Sequence, residues 1–108
     1  MQMVKCAGWW EQDGLGRQPM EPLKLRFEKN RITGAGADVI GAFTLEGELR
    51  DSKVTIVKQY VDAHAVDYPG TFDGEGTLQG LWSIYGVGGR WHIKVVAAEA
   101  ESAEIQDL

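Results

Sequence analysis

The chain has 108 residues, 44% of them hydrophobic and 25% charged, with a formal net charge of −5. That size and balance fit one domain with one core and an ordinary soluble surface, and the acidic surplus argues against nucleic acid or an anionic membrane as a partner, since both need clustered Lys and Arg. No window of eighteen apolar residues offers a membrane span, and Cys6, the single cysteine, leaves no intrachain disulfide and no two-cysteine metal motif.

Fourteen glycines and three prolines punctuate short apolar runs at fairly even spacing, the pattern of short antiparallel strands joined by tight turns. Eight runs are predicted. MVKCAGWW (3–10) comes first, and a long polar connection, EQDGLGRQPMEP (11–22), follows. LKLRFE (23–28) alternates strictly, with Leu23, Leu25 and Phe27 on one face and Lys24, Arg26 and Glu28 on the other, as a half-buried strand does. Lys29-Asn30 turns the chain into RITGA (31–35), and GADV (36–39) turns it again. IGAFTLEGEL (40–49), KVTIVKQY (53–60) and HAVDYPG (64–70) are the next strands, joined by 50–52 and 61–63; Pro69 implies an edge or a bulge near the end of the last. TFDGEG (71–76) is a loop. TLQGLWSIY (77–85) and RWHIKVV (90–96) flank a glycine-rich hairpin connection, 86–89. The segment 97–108 is rich in Ala and Glu, and its charge is all negative; it reads as an acidic tail or one short helix. There is no internal repeat. Residues 1–96 are expected to form a single β-barrel domain.

Links this short leave no room for parallel crossovers, so the eight strands form an antiparallel up-and-down meander. Closing it removes the exposed edges, and eight strands enclose an interior that side chains can just fill or that holds one small ligand. The predicted fold class is therefore all-β, a closed barrel of about eight strands; a two-sheet sandwich is the alternative. Leu23, Leu25, Phe27, Phe43, Ile56, Val66, Trp82, Ile84, Trp91 and Ile93 are the expected core.

Gly8-Trp9-Trp10 resembles the G-x-W of the first strand in the calycin group, the lipocalin-like and avidin-like small barrels, and Ile32-Thr33-Gly34 is similar to the I/L-T-G that opens an early strand in avidin-like chains. The meander covers nearly the whole chain. The chain is shorter than most lipocalins, and the polar residues of a biotin site have no counterparts that can be matched one by one. The resemblance implies a calyx that binds a small, largely apolar molecule.

The nearest thing to a chemical site is KQYVDAHAVDY (58–68). Val54 and Ile56 share the even-numbered face with Lys58 and Tyr60, so that face is expected inside, and His64, Val66 and Tyr68 continue it after the turn. Across the hairpin, Tyr60 is expected near His64 and Lys58 near Val66. Counting strand ends places 11–22, 36–39, 61–63 and 86–89 on one rim, beside which Asp38, Tyr85 and Arg90 would also lie, with 11–22 as a lid. Lys58, Tyr60, His64, Tyr68 and Asp38 would then form a polar patch at the mouth of an apolar cup, with Trp82 and Trp91 as a stacking wall or as core. The structural alternative is that the tyrosines are core with their hydroxyls at an end, and that Lys58 snorkels out at the rim. Trp9 and Trp10 point to opposite sides, so one of them would be exposed, as in a protein contact or homodimer surface.

GAGADVIG (34–41) lacks the spacing of a phosphate cradle, and His64 and His92, on separate strands, make a poor metal pair. No cofactor is expected. Three function classes stay open: a binder of a small apolar or amphipathic molecule, a small acid–base enzyme with His64 as base and Tyr60 or Lys58 as acid, and a packed interaction module. The N-terminal MQMVKCAGWWEQDG has no long apolar stretch, so a cytoplasmic location is expected.

Overall fold

The computed structural model describes residues 3–98. They form nine β-strands: β1 Met3–Gln12, β2 Gly16–Met20, β3 Leu23–Glu28, β4 Arg31–Ala37, β5 Ala42–Arg50, β6 Lys53–Tyr60, β7 Ala65–Phe72, β8 Thr77–Ile84 and β9 Val87–Ala98. β2 and β3 are the two halves of one bent strand. Both lie antiparallel to β1, β2 against Gly8–Gln12 and β3 against Met3–Lys5. The bend falls at Glu21-Pro22, where proline has no N–H to give to a ladder. Taken together they make an eight-stranded meander. β1 pairs with β9 from Val4 to Trp10, which closes the barrel.

The connection expected over 11–22 is thus mostly strand. Only 13–15 form the turn, and the segment is barrel wall rather than lid. Its single fully buried side chain is Met20, and Gly16, Arg17 and Pro19 are all exposed. The stretch therefore has no apolar face to announce it; backbone pairing with β1 holds it. Other boundaries move in the same direction. β4 runs on to Ala37, and β9 starts at Val87 after a two-residue turn, Tyr85-Gly86, in which both residues have positive φ (51° and 80°), the type I′ geometry that matches strand twist. β7 does not end at Gly70 but continues to Phe72. Its recorded pairing with β8 skips Tyr68 and Pro69 and resumes at Gly70 opposite Gly80. The Pro69 carbonyl accepts a hydrogen bond from Trp91 Nε1 at 3.0 Å.

The core follows the two-residue period. On β6, Val54, Ile56, Lys58 and Tyr60 point inward and every other residue is exposed. Leu23, Leu25, Phe43, Ile56, Val66, Trp82, Trp91 and Ile93 are buried as expected; Phe27 and Ile84, near opposite ends of the barrel, are half-buried against the core. Of the first tryptophan pair, Trp10 is buried. Trp9 lies on the outer face, where it is half-covered: His92 stacks on it at 5.4 Å and the Arg17 guanidinium lies 3.7 Å from its ring centroid. β9 extends two residues past the expected end of the domain at 96, and the rest of the expected tail or helix lies outside the described residues.

The meander gathers the turns 13–15, 38–41, 61–64 and 85–86 at one end and 29–30, 51–52 and 73–76 at the other. The two ends differ in chemistry. Leu15, Val39, Ile40, Val61, Tyr85 and Val87 are exposed at the first; the second carries Lys29, Asn30, Asp51, Ser52, Asp73 and Glu75.

Candidate functional site

A cavity of about 230 Å³ opens at the apolar end. Its walls are Trp10 from β1, Tyr60 from β6, Val66 and Tyr68 from β7, and Trp82 and Ile84 from β8; Gln12, Ile40, His64, Tyr85 and Val87 surround the opening. Trp10 and Trp82 meet edge to face at 5.8 Å, and Trp82 is fixed by donating Nε1–H to the Glu11 carbonyl at 2.9 Å. No Lys, Arg, Asp or Glu side chain is among the lining.

The charges lie beyond that wall. Lys58 and Asp38 form an ion pair of 2.6 Å, with side-chain exposures of 1% and 0%. The Asp38 backbone is at the surface of the 38–41 turn, but its carboxylate points into the barrel. There Oδ2 accepts from Lys58 Nζ, from Tyr60 Oη at 2.7 Å and from Trp10 Nε1 at 3.1 Å, and Oδ1 accepts from the Ile40 and Gly41 amides at 2.9 and 3.4 Å. Lys58 Nζ donates further to Tyr68 Oη at 3.2 Å and to Met20 Sδ at 3.5 Å. Its ammonium lies within aromatic walls, with ring centroids at 4.3 Å (Phe43), 4.8 Å (Tyr60), 5.2 Å (Tyr68) and 5.6 Å (Trp10), distances at which the ring quadrupoles attract a cation.

Burial pushes the Lys58 ammonium below its ordinary value, against the pull of Asp38. At Asp38 burial works to raise the carboxyl, but the hydrogen bonds from Lys58 and Tyr60 and the Lys58 charge outweigh it, and the group is held below the usual carboxylate range. Tyr60 and Tyr68 are both pushed well above the ordinary phenol range, first by burial; the hydrogen bond to Asp38 and then its charge add to this at Tyr60, and the Asp38 charge at Tyr68. At neutral pH Asp38 is an anion and both tyrosines keep their protons.

The even-numbered face of 58–68 is thus inward for Lys58, Tyr60, Val66 and Tyr68, and the hairpin register pairs Lys58 with Val66. Tyr60 and His64 meet, with ring centroids 4.9 Å apart. Their depths differ from the expected patch. His64 is exposed at the opening, whereas Lys58 neither lines the mouth nor snorkels out of it. Its stem is too far down the barrel, and Asp38 supplies the partner that lets it stay there. Trp82 is a cavity wall. Trp91 is not; it packs beneath Tyr68 at 5.0 Å. Tyr85 stands at the opening with 92% exposure. Arg90 faces the outside, because on β9 the odd positions Trp91 and Ile93 point inward and the even ones outward, and there it pairs with Glu11 at 3.0 Å. Sequence reasoning missed Trp10, Met20 and Phe43 as members of the network. The even spacing of Cys6, Gly8 and Trp10 on β1 was the available signal for Trp10; Met20 had none.

Ser83 is exposed, and burial pushes the Cys6 thiol up to about 11, far from a ready thiolate. Tyr60 has its proton committed to Asp38. Among the described residues there is no group of three or more His, Cys, Asp or Glu placed to hold a metal ion, and no helix long and apolar enough to cross a membrane.

Comparison with known proteins gives no match: no family model fits the chain, and no curated protein and no solved structure is significantly similar to it. The closed eight-stranded antiparallel barrel is compatible with a calycin-like fold.

Proposed function

We propose that this protein is a calycin-like carrier or sensor that binds a small apolar or amphipathic molecule in the cavity at the apolar end of its barrel. The observation that supports it most is the cavity itself: a concave site with walls of Trp10, Tyr60, Val66, Tyr68, Trp82 and Ile84, all of them part of the core or packed against it. Ligand sites are typically concave and apolar with a few placed polar groups, and the tyrosines and His64 are those groups here. A packed interaction module has no use for such a void, and the acid–base reading loses its acid, since Lys58 is walled off and Tyr60 serves Asp38. A cytoplasmic setting belongs to the same proposal, and the free thiol of Cys6 suits a reducing compartment.

The test is a titration with a panel of small apolar fluorescent probes, following the emission of Trp10 and Trp82. Val66→Phe places a ring in the cavity from a residue that lines it. Saturable binding to the wild type, weakened about tenfold or more in Val66→Phe, is the expected result. Overfilling costs about 1–3 kcal/mol of stability, so the melting of the variant is measured alongside, and Ile84→Phe, at the half-buried edge of the cavity, serves as the second variant. Absence of saturable binding by every probe would falsify the proposal.

A further inference from the structure

The hydrogen bonds beneath the cavity can be counted donor by donor, and one proton is left under-used. All three N–H groups of Lys58 have acceptors: Asp38 Oδ2 at 2.6 Å, Tyr68 Oη at 3.2 Å and Met20 Sδ at 3.5 Å. The Asp38 carboxylate receives five donors, from Lys58, Tyr60, Trp10, Ile40 and Gly41. The Tyr60 proton goes to Asp38. Tyr68 accepts from Lys58, but its own O–H has only the Met20 sulfur, at 3.9 Å, and a thioether is a weak acceptor. Tyr68 is also 2% exposed and forms part of the cavity wall. A buried hydroxyl in an apolar wall with so poor an acceptor is the group a ligand oxygen would improve most.

We propose that Tyr68 O–H is the recognition donor of this cavity, and that its ligand is an uncharged molecule with a carbonyl-type oxygen at its inner end and hydrocarbon toward the opening. The proposal rests on the binding function above and gives it a ligand class. Three features carry it besides the proton count. With no Lys, Arg, Asp or Glu side chain among the lining, and His64 out at the opening, a charged head at the inner end would have no counter-ion, and Lys58 and Asp38 already neutralise each other behind the wall. The bond from Lys58 Nζ to Tyr68 Oη polarises the phenol and makes its O–H a better donor. Beside Gln12 and His64, the opening is bordered by exposed Ile40, Tyr85 and Val87, whose apolar surface favours hydrocarbon there. In size, about 230 Å³ exceeds the roughly 150 Å³ void that accepts benzene and falls short of the roughly 300 Å³ at which drug-sized sites begin, so one ring with a short substituent fits.

The experiment compares acetophenone with α-methylstyrene, which replaces the carbonyl by an isosteric C=CH₂, on the wild type and on Tyr68→Phe by calorimetry. The expected result is that Tyr68→Phe weakens acetophenone about tenfold, the equivalent of one buried hydrogen bond, and leaves α-methylstyrene within about twofold. The infrared carbonyl stretch of acetophenone bound to the wild type supplies a reading that needs no variant: it should fall below its frequency in alkane. An alkane-like frequency, or equal effects of Tyr68→Phe on both compounds, overturns the assignment to Tyr68 while leaving the binding function standing. Failure of both compounds to bind the wild type, together with failure of the probe panel, removes the binding function and this inference with it.

Discussion

Lys58 is the residue on which the interior turns. Its parity with Val54 and Ile56 on a strand is legible in the sequence, and so is the strangeness of a cation on a face meant for the core. Its partner is harder to see. Asp38 lies 20 positions earlier, in a turn between other strands, and only closure of the barrel brings its carboxylate over β6. The turn propensity of Asp38 is readable, but the direction of its side chain is not. The pair has a clear energetic consequence. An ion pair this buried adds little net stability, since desolvation consumes most of the attraction, but removing one partner strands the other charge. Lys58→Met should therefore cost about 3–5 kcal/mol at neutral pH in chemical denaturation. The deficit should narrow as pH falls toward the ordinary carboxylate range, because an unpaired buried Asp38 takes up a proton and the stranded charge disappears. The double variant Lys58→Met/Asp38→Asn should recover part of the loss. A single variant as stable as the wild type would mean that the pair is open to water.

At the scale of elements, legibility tracked the presence of an apolar face. β3 and β6 alternate cleanly, and both were readable to within a residue. β2 was not, because it buries Met20 alone and is held by its ladder to β1. Pro69 interrupts the pairing to β8, as a proline near a strand end suggests, yet the chain on either side remains paired to β6 throughout, from Gln59–Ala65 to Lys53–Thr71, and the strand runs two residues beyond its expected end at Gly70. The same region shows why Gly70 and Gly80 face each other. A Cβ on Gly70 would come within 2.1 Å of the Gln79 carbonyl and 2.8 Å of Trp91 Cζ2, so the glycine pair is what lets the Trp91 indole lie across the strands under Tyr68. Gly86 is a useful contrast. Its φ is +80°, but a Cβ there meets nothing within 4 Å. Gly86→Ala should cost about 1–2 kcal/mol, the penalty of a left-handed conformation. Gly70→Ala should cost about 1–3 kcal/mol or more through overpacking and should also change the near-ultraviolet signal of Trp91, which Gly86→Ala should leave alone. Equal and small effects of the two substitutions on both measurements would contradict the packing described for β7 and β8.

For the whole molecule, strand number and link length sufficed to foresee a closed barrel, and the count of strand ends placed the turns beside Tyr60 and His64 on a common end with Asp38 and Tyr85. What the pattern did not reveal was depth. Alternation says which face a residue takes and nothing about how far down the barrel it lies, so Lys58 and Asp38 were expected at the mouth and instead lie behind the cavity wall. The mouth exposes Ile40, Tyr85 and Val87 beside Gln12 and His64, while at the opposite end the turns 29–30 and 51–52 carry polar and charged residues only.

The most direct measurement is a set of intermolecular NMR contacts between isotope-labelled protein and a bound aromatic probe such as acetophenone. The probe protons should show contacts to the rings of Trp10, Tyr68 and Trp82 and to the methyls of Val66 and Ile84, the residues that line the cavity, with none to Trp9 or to the 73–76 turn. Contacts confined to the outer face around Trp9, or scattered over the surface with the cavity residues silent, would contradict a ligand inside the barrel.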